Sequence, residues 1–463
     1  MERKNAWAAY AEDDSRVEAF AKAYCDFINN GKTERECVAY GEKLAKAHGF
    51  EDLNAVIRSG RKLEAGARVY VNWMGKSFML FVLGAKPLEE GMNILGAHID
   101  SPRIDVKQNP LYEDGDLAYL DTHYYGGIKK YQWVAMPLAL HGVIIKKNGE
   151  KVLVNIGEDE NDPVFCISDL LIHLAQEQMA KNAKDVVEGE ALNLIVGGRP
   201  LAGEEKDAVK ANVLKLLDDK YGVEEEDFLS AELEIVPAGK ARDMGFDRSM
   251  ILGYGHDDRV CAYPSMMAVL DYEGTPDYTL CCIITDKEEI GSVGATGMAS
   301  HYLENTVAEL YACTADYCEL AVRRCLRNSR MLSSDVSAGY DPNFASAFEK
   351  KNSAFLGRGI CFNKFTGSRG KSGSNDANPE FMASLRKIMD DAGVAFQTAE
   401  LGRVDLGGGG TIAYLCAKYG MNVIDSGIAV LSMHAPYEII SKVDLYEGYR
   451  CYCAFLKGAK PVD

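Results

Sequence analysis

Four apolar segments of this sequence each lead directly into a side chain of a type that binds divalent metals. Short apolar runs that end abruptly in polar residues are typical of buried parallel strands, and functional groups gather at the carboxyl ends of such strands. The pattern therefore predicts one sheet edge at which imidazole and carboxylate groups meet. The segments and the residues that follow them are 95–97 before His98, 281–284 before residues 286–289, 332–334 before Asp335 and 430–433 before His434.

A fifth position, the pair Asp257-Asp258, follows the glycine-rich residues 253–255 and precedes a helix predicted over residues 259–270. Each position alone is weak evidence. A histidine at a strand end is more often a hydrogen-bonded core residue, and a pair of glutamates is usually a solvated face. The recurrence of one pattern on a single predicted sheet is what favours a metal site.

The residue types at these positions match the needs of two divalent cations held a few ångströms apart. Zinc binds imidazole nitrogen and carboxylate oxygen, and two neighbouring cations need a carboxylate bridge because they repel each other. The predicted set is large enough for one bridge and two further ligands per metal, and consists of His98, Asp257, Glu289, Asp335 and His434.

The chemistry requires a further group that takes a proton from the attacking water, and a glutamate is a common choice. Glu288 is the predicted general base, because it can point across the site while its neighbour Glu289 binds metal. The spacing leaves open whether Asp257 or Asp258 forms the bridge. It also leaves open whether the adjacent His256 is a ligand or a structural residue.

Strands alternate with helices in residues 1–100 and again in 251–463, which indicates a mostly parallel central sheet flanked by helices. Within the first segment, two short strands are predicted over residues 69–83, around residues 74–76. Residues 101–250 differ, because turn signals and short alternating segments dominate their first part. The predicted fold is therefore α/β, with a discontinuous catalytic domain (1–100 and 251–463) and an inserted β-rich domain (101–250).

The net charge of −18 argues against non-specific binding to nucleic acid or to anionic membranes, since both need a basic surface. No run approaches the roughly 18 consecutive apolar residues of a transmembrane helix, and the first residues lack the pattern of a signal peptide. The 13 cysteines include no CxxC pair, which indicates buried thiols in a reducing compartment. We therefore expect a soluble, cytoplasmic protein.

Five motifs occur in this order along the chain: Gly96-Ala97-His98-Ile99-Asp100-Ser101-Pro102, Asp257-Asp258-Arg259, Asp286-Lys287-Glu288-Glu289-Ile290-Gly291-Ser292, Ser334-Asp335 and Leu431-Ser432-Met433-His434. Together they resemble the aspartyl aminopeptidase and aminopeptidase I family of dinuclear zinc metallopeptidases. The resemblance covers essentially the whole chain, including the insert after the first histidine. The motifs are highly specific as a set, although none is so alone.

The resemblance implies a zinc-peptidase-like catalytic domain that hydrolyses the N-terminal residue of peptides with two metals, a bridging water and Glu288 as the base. It implies that Asp100 orients His98 by accepting its other N–H. It also implies a homododecamer built through the insert, in which His173 reaches a neighbouring subunit's site. The implied metal roles are His98 and Asp335 as terminal ligands of one ion, Glu289 and His434 as those of the other, and Asp257 as the bridge.

The same residues allow alternative roles and functions. Asp100 could cap a turn, and His173 could be an ordinary helix histidine. Related dinuclear hydrolases remove acyl groups or C-terminal residues, and a non-catalytic oligomeric scaffold of the same fold is a further alternative.

The sequence does not determine the peptide substrate, its preferred N-terminal residue or the metal, since Zn²⁺, Co²⁺ and Mn²⁺ accept similar ligands. Candidates for holding an acidic substrate side chain are Arg369, Lys371 and Arg403, although ordinary surface charge would explain each.

Overall fold

The computed structural model describes residues 4–462, apart from the side chains of residues 368 and 369. Within these residues the chain forms two compact units. The first unit comprises the segment up to Asp100, residues 241–433 and the segment from Glu438 onward. The second unit comprises residues 101–240 and 434–437.

Helices and strands alternate along much of the chain. The strands of the described residues are β1 (Glu51–Asp52), β2 (Arg68–Trp73), β3 (Ser77–Val82), β4 (Met92–His98), β5 (Arg103–Asp114), β6 (Leu117–Tyr125), β7 (Leu138–Ile145), β8 (Lys151–Ile156), β9 (Leu194–Gly197), β10 (Ala231–Pro237), β11 (Arg242–Met244), β12 (Met250–Gly253), β13 (Thr279–Thr285), β14 (Arg330–Ser333), β15 (Ser337–Ala338), β16 (Ile360–Asn363), β17 (Phe396–Thr398), β18 (Asn422–Gly427), β19 (Ala429–Leu431) and β20 (Glu438–Ser441).

The α-helices of the same residues are α1 (Ser15–Asn30), α2 (Glu34–Ala47), α3 (Leu53–Ser59), α4 (Gln176–Met179), α5 (Ala208–Tyr221), α6 (His256–Leu270), α7 (Tyr302–Thr314), α8 (Glu319–Arg327), α9 (Ser368–Lys371), α10 (Pro379–Ala392), α11 (Ala413–Ala417) and α12 (Lys442–Gly458). In the part of the chain that the structure describes, no helix has both the length and the apolar character needed to cross a bilayer.

A nine-stranded sheet forms the centre of the first unit, in the order β1-β2-β3-β13-β4-β14-β18-β16-β17. The four strands β13, β4, β14 and β18 are mutually parallel. The prediction of an α/β fold is confirmed, but a mostly parallel central sheet is not confirmed in that form. The sheet is mixed, because β3 pairs antiparallel with both its neighbours and β16 pairs antiparallel with β18.

Strand β13 shows how both faces of this sheet are buried. Leu280, Cys282 and Ile284 belong to a core packed by α1, α2, α6, α10 and α12. The alternate residues Cys281 and Ile283 belong to a second core packed by α3, α7, α8 and α11. Because successive side chains of a strand point to opposite faces, a strand buried on both sides must be apolar throughout. This explains the continuous apolar run in the sequence.

The two strands predicted around residues 74–76 are confirmed as the β2–β3 hairpin. Met74 and Gly75 have φ values of 56° and 71°, which a tight hairpin turn requires. The Lys76 N–H donates to the Trp73 carbonyl at 3.1 Å and closes the turn. The turn between the two strands therefore ends with Lys76, a buried lysine immediately before β3.

The described residues form two further sheets. In the second unit, β8-β7-β10-β5-β6-β9 form a six-stranded sheet in which every adjacent pair is antiparallel. In the first unit, β11-β12-β20-β19-β15 form a five-stranded sheet. Strand β12 ends at Gly253 and leads into α6 at His256. This connection places the pair Asp257-Asp258 in the first turn of α6, where both residues have non-helical backbone angles.

The two-sided burial of β13 generates a stability prediction. Ile283→Ala removes a fully buried side chain from the second core, and we expect the free energy of unfolding to fall by about 2–5 kcal/mol. Leu153→Ala, at a position that is 68% exposed, serves as the control and should change it by no more than about 0.5 kcal/mol. Denaturant titration at one fixed protein concentration measures both. Equal losses in the two variants would contradict this assignment of the core.

Candidate metal centre

Three strand ends meet at one edge of the nine-stranded sheet. β4 lies between β13 and β14, and all three strands are parallel. Thr285 of β13 pairs with His98 of β4, and Ser333 of β14 pairs with Gly96 of β4. Because parallel strands in register end side by side, the residues that follow them share the same edge.

His98 lies at the centre of this edge and is 2% exposed. Its Nε2 atom is 3.2 Å from Asp257 Oδ1, 3.9 Å from Asp335 Oδ1 and 4.0 Å from Glu288 Oε2. Its Nδ1 atom is 3.3 Å from Asp100 Oδ1 and 3.0 Å from the Asp100 carbonyl oxygen. One ring nitrogen is thus held by Asp100, while the other faces three carboxylates.

Two overlapping groups of three ligand atoms lie close enough together to hold a cation. Within each group the atoms are no more than 4.8 Å apart. An imidazole with two carboxylates is a donor set that zinc accepts, so these residues fit a divalent metal. The groups are His98 with Asp258 and Asp335, and His98 with Asp257 and Glu289.

Asp257 and Asp258 contact different parts of His98, the ring and the backbone N–H respectively. The peptide bond between the two aspartates is cis. The Asp257 N–H donates to Glu438 Oε2 at 2.9 Å, and the Asp257 carboxylate faces the His98 ring. The Asp258 carboxylate instead accepts the backbone N–H of His98 at 3.3 Å. Asp257 therefore lies against the ring nitrogen that a metal would use, and Asp258 also supplies a ligand atom to one of the two groups.

Asp100 organises the segment that carries the two glutamates. It is fully buried, and its Oδ1 and Oδ2 atoms accept the backbone N–H groups of Glu288 and Glu289, each at 3.1 Å. The same carboxylate lies against the Nδ1 atom of His98. The Asp100 side chain thus contacts both the ring of His98, a predicted metal ligand, and the backbone of Glu288, the predicted general base.

The electrostatics of the cluster reflect an excess of buried negative charge. Burial raises the pKa of Asp258 well above its usual value. Burial and the nearby charge of Glu288 do the same to the pKa of Asp335. Burial by itself would lower the pKa of His98, but its hydrogen bonds, first that to Asp100, raise it well above the usual value. A divalent cation among these groups would offset the repulsion between the carboxylates.

Asp425 belongs to the same edge, although the sequence analysis did not single it out as a site residue. It lies in β18 directly beside Ser333 of β14, and the Thr411 hydroxyl donates to its Oδ1 at 2.5 Å. Burial raises the pKa of Asp425 to about 7. The sequence did contain a pattern that could have identified Asp425. Apolar residues 423–424 lead into it in the same way as an apolar run leads toward Asp335.

Three other histidines have different surroundings. His434 belongs to the second unit, where its Nδ1 atom is 3.0 Å from the carbonyl oxygen of Gly127. His173 lies in an exposed 3₁₀ turn of the same unit. His256 is buried, and its Nδ1 atom is 2.7 Å from the Tyr24 hydroxyl, which favours a structural role. The metal role of His434 and the intersubunit role of His173 stay predictions.

The basic candidates for substrate binding lie near one cavity. Lys371 and Arg403 both line a cavity of about 230 Å³. The Lys371 ammonium group is 3.0 Å from Asp376, and Arg403 donates to the Ser346 carbonyl at 2.9 Å. The side chain of Arg369 lies outside the described residues. A role for this set in recognising an acidic side chain stays a prediction.

Comparison with known proteins gives consistent matches over the whole chain. The family model of the aminopeptidase I zinc metalloproteases (M18) matches residues 27–456. A probable M18 family aminopeptidase 1 of Clostridium acetobutylicum is 58% identical over 458 residues, which cover 98% of each chain. The crystal structure of an M18 family aminopeptidase from Thermotoga maritima is 42% identical with a TM-score of 0.94, and the match covers 99% of this chain and 100% of that one. The S. cerevisiae mApe1 dodecamer shares the fold at 21% identity and a TM-score of 0.76, covering 96% of this chain and 97% of that one.

The position of Asp100 generates a prediction about metal affinity. In Asp100→Asn, an amide N–H₂ must face one of the backbone N–H groups that donate to the carboxylate. The His98 Nδ1 atom also loses the carboxylate beside it and keeps only the Asp100 carbonyl oxygen. We expect metal affinity to fall by about 10- to 100-fold, as measured by competition with a chelator. Asp52→Asn is the control, because Asp52 also accepts a backbone N–H, but at the start of α3. Unchanged affinity in Asp100→Asn would assign Asp100 to a turn cap.

Proposed function

This chain belongs to the aminopeptidase I zinc metalloprotease (M18) family and is an aminopeptidase, and we propose that it hydrolyses peptides at the cluster around His98. The observation that carries the proposal is the pair of overlapping ligand groups that share His98 at one sheet edge. Family membership implies a divalent metal. It also favours N-terminal hydrolysis over the deacylase, carboxypeptidase and scaffold alternatives.

We propose that two divalent ions, most simply zinc, are held here with Asp257 as the bridge. The support for Asp257 is its carboxylate, which lies 3.2 Å from the ring nitrogen of His98, whereas Asp258 accepts a backbone N–H. Co²⁺ and Mn²⁺ accept similar donors. The proposed terminal ligands are His98 and Asp335 for one ion, and Glu289 and His434 for the other.

Glu288 is the proposed general base. When bound, the metals polarise the scissile carbonyl and favour ionisation of the attacking water. The Glu288 carboxylate stands 4.0 Å from the His98 ring and is largely but not fully buried, with a side chain that is 16% exposed. It takes a proton from the attacking water and delivers it to the leaving amine. Asp100 keeps the Glu288 backbone at this position through the N–H that it accepts.

The insert is proposed to assemble a homo-oligomer. Around His173, residues Leu171, Ile172 and Leu174 are 53%, 69% and 69% exposed, and exposed apolar side chains clustered in this way mark interaction surfaces. A dodecamer is known for a protein of the same fold. We therefore propose that the 171–174 segment packs on a neighbouring subunit, where His173 reaches that subunit's site.

A reducing, cytoplasmic compartment is also proposed. All 13 cysteines are free thiols, and most of them are buried. Disulfides form and persist in oxidising compartments, so a chain with this many unpaired cysteines suits a reducing one.

Substitution of the proposed base tests the proposed function. Glu288→Gln keeps the size of the side chain but removes its ability to accept a proton. We therefore expect kcat to fall by about 10²- to 10⁴-fold with metal content nearly unchanged. The substrates are a panel of aminoacyl anilides and their N-acylated counterparts, assayed with and without chelator and added metals. Glu304→Gln, on α7, is the control. Full activity of Glu288→Gln would remove Glu288 as the base.

Sedimentation tests the proposed assembly. The double variant Ile172→Asp, Leu174→Asp places charge in an apolar contact, so we expect a smaller particle than the wild-type oligomer. Leu153→Asp, also in the second unit and 68% exposed, is the control and should sediment like the wild type. A wild-type protein that sediments as a monomer at micromolar concentration would contradict the proposal.

A further inference from the structure

A buried lysine with two buried carboxylate neighbours lies next to the segment that carries Glu288. Lys76 ends the β2–β3 turn, and its side chain is 9% exposed. Its Nζ atom is 2.9 Å from Glu34 Oε1 and 3.6 Å from Asp286 Oδ2. Both carboxylates are fully buried. None of the three residues belongs to the ligand groups around His98.

Asp286 forms hydrogen bonds at both ends of the loop that carries Glu288, residues 287–296. Its Oδ1 atom accepts the backbone N–H of Lys287 at 2.8 Å, and its Oδ2 atom accepts the Thr296 hydroxyl at 2.6 Å. Its backbone also forms a parallel bridge with Gly297. The held residue Lys287 has a φ of 67°, a conformation that is uncommon outside glycine and that persists where surrounding contacts enforce it.

The glutamate segment is therefore held by an acidic side chain on each side. Asp100 accepts the N–H groups of Glu288 and Glu289, and Asp286 accepts that of Lys287. A buried carboxylate accepts such bonds strongly when it is ionised, and ionisation in a buried place needs a nearby cation. The Lys287 ammonium group is 3.2 Å from Asp286, but its side chain is 24% exposed, so solvent screens it more than the buried Lys76.

We infer that Lys76 is a positioning residue for Glu288. Its ammonium group balances the charge of Asp286, and Asp286 in turn holds the backbone turn that presents Glu288 to the site. The inference rests on the proposed role of Glu288 as the base. Because small displacements of a reacting group have large effects on rate, loss of this cation should act on turnover more than on substrate binding.

The alternative is a purely structural role, in which Lys76 stabilises the fold through Glu34, its nearer partner. Two variants separate these roles. Glu34→Gln removes the nearer carboxylate and keeps Lys76 beside Asp286. The double variant Glu34→Gln, Lys76→Met differs from it only at Lys76, and has the same net charge among the three side chains as the wild type. This balance protects the double variant from the instability expected in Lys76→Met alone, where two buried carboxylates lose the same ammonium group.

The experiment measures kcat, KM, metal content and unfolding temperature for both variants, for Lys76→Met and Lys76→Arg, and for the control Lys46→Met. Lys46 forms an exposed ion pair with Glu42 on α2. We expect the double variant to show a kcat about 10- to 100-fold below that of Glu34→Gln, with KM within about twofold and metal content unchanged. Lys76→Arg should recover most of the kcat lost in Lys76→Met, since it keeps the charge. Lys46→Met should match the wild type.

A folded double variant with the kcat of Glu34→Gln would overturn the inference, and so would a loss confined to KM or to metal content. Glu288→Gln is assayed in parallel, so that failure of the base assignment can be distinguished from failure of the role of Lys76. If Glu288→Gln is active, the base assignment fails. If Glu288→Gln is inactive while the double variant turns over normally, only the role of Lys76 fails.

Discussion

The parallel register of β13, β4 and β14 is the constraint on which the candidate metal centre depends. Backbone hydrogen bonds align Thr285 with His98 and Ser333 with Gly96, so the chain leaves the three strands at one edge. A slip of one residue would turn the His98 side chain to the opposite face. The apolar residues of these strands, buried on both faces, are what enforce the register. The chemistry of the site therefore depends on the packing of a core that takes no part in it.

That edge concentrates acidic groups in a buried space, which is unfavourable unless the charges are compensated. The structure compensates them in several ways. Backbone N–H groups donate to Asp100 and Asp286, and Lys76 lies beside Asp286. Around His98 the carboxylates face one another, and the pKa values of Asp258 and Asp335 are raised. The carboxylates around His98 need a positive charge to balance them. Family membership implies a divalent metal, which would supply that charge.

Much of the fold followed from local patterns. The α/β class, the apolar strands and the two strands around residues 74–76 could be predicted, because strand periodicity and turn-forming residues act over a few positions. The mixed character of the sheet could not, since nothing in β3 or β16 alone specifies the direction of a distant neighbour. Asp425 follows an apolar pair as Asp335 does, but its pairing with Ser333 is a long-range fact.

The sequence by itself determined which side chains are available for chemistry: two imidazoles and several carboxylates at the ends of apolar runs, in an order that resembles one peptidase family. It did not determine which of them meet. The tertiary structure decided that Asp257 lies against the His98 ring while Asp258 accepts its backbone N–H, and that a lysine from a hairpin more than 200 positions earlier lies beside Asp286. The physical reason is that local propensity acts between neighbours in the chain, whereas distances between ligands are set by strand register and by packing between distant segments.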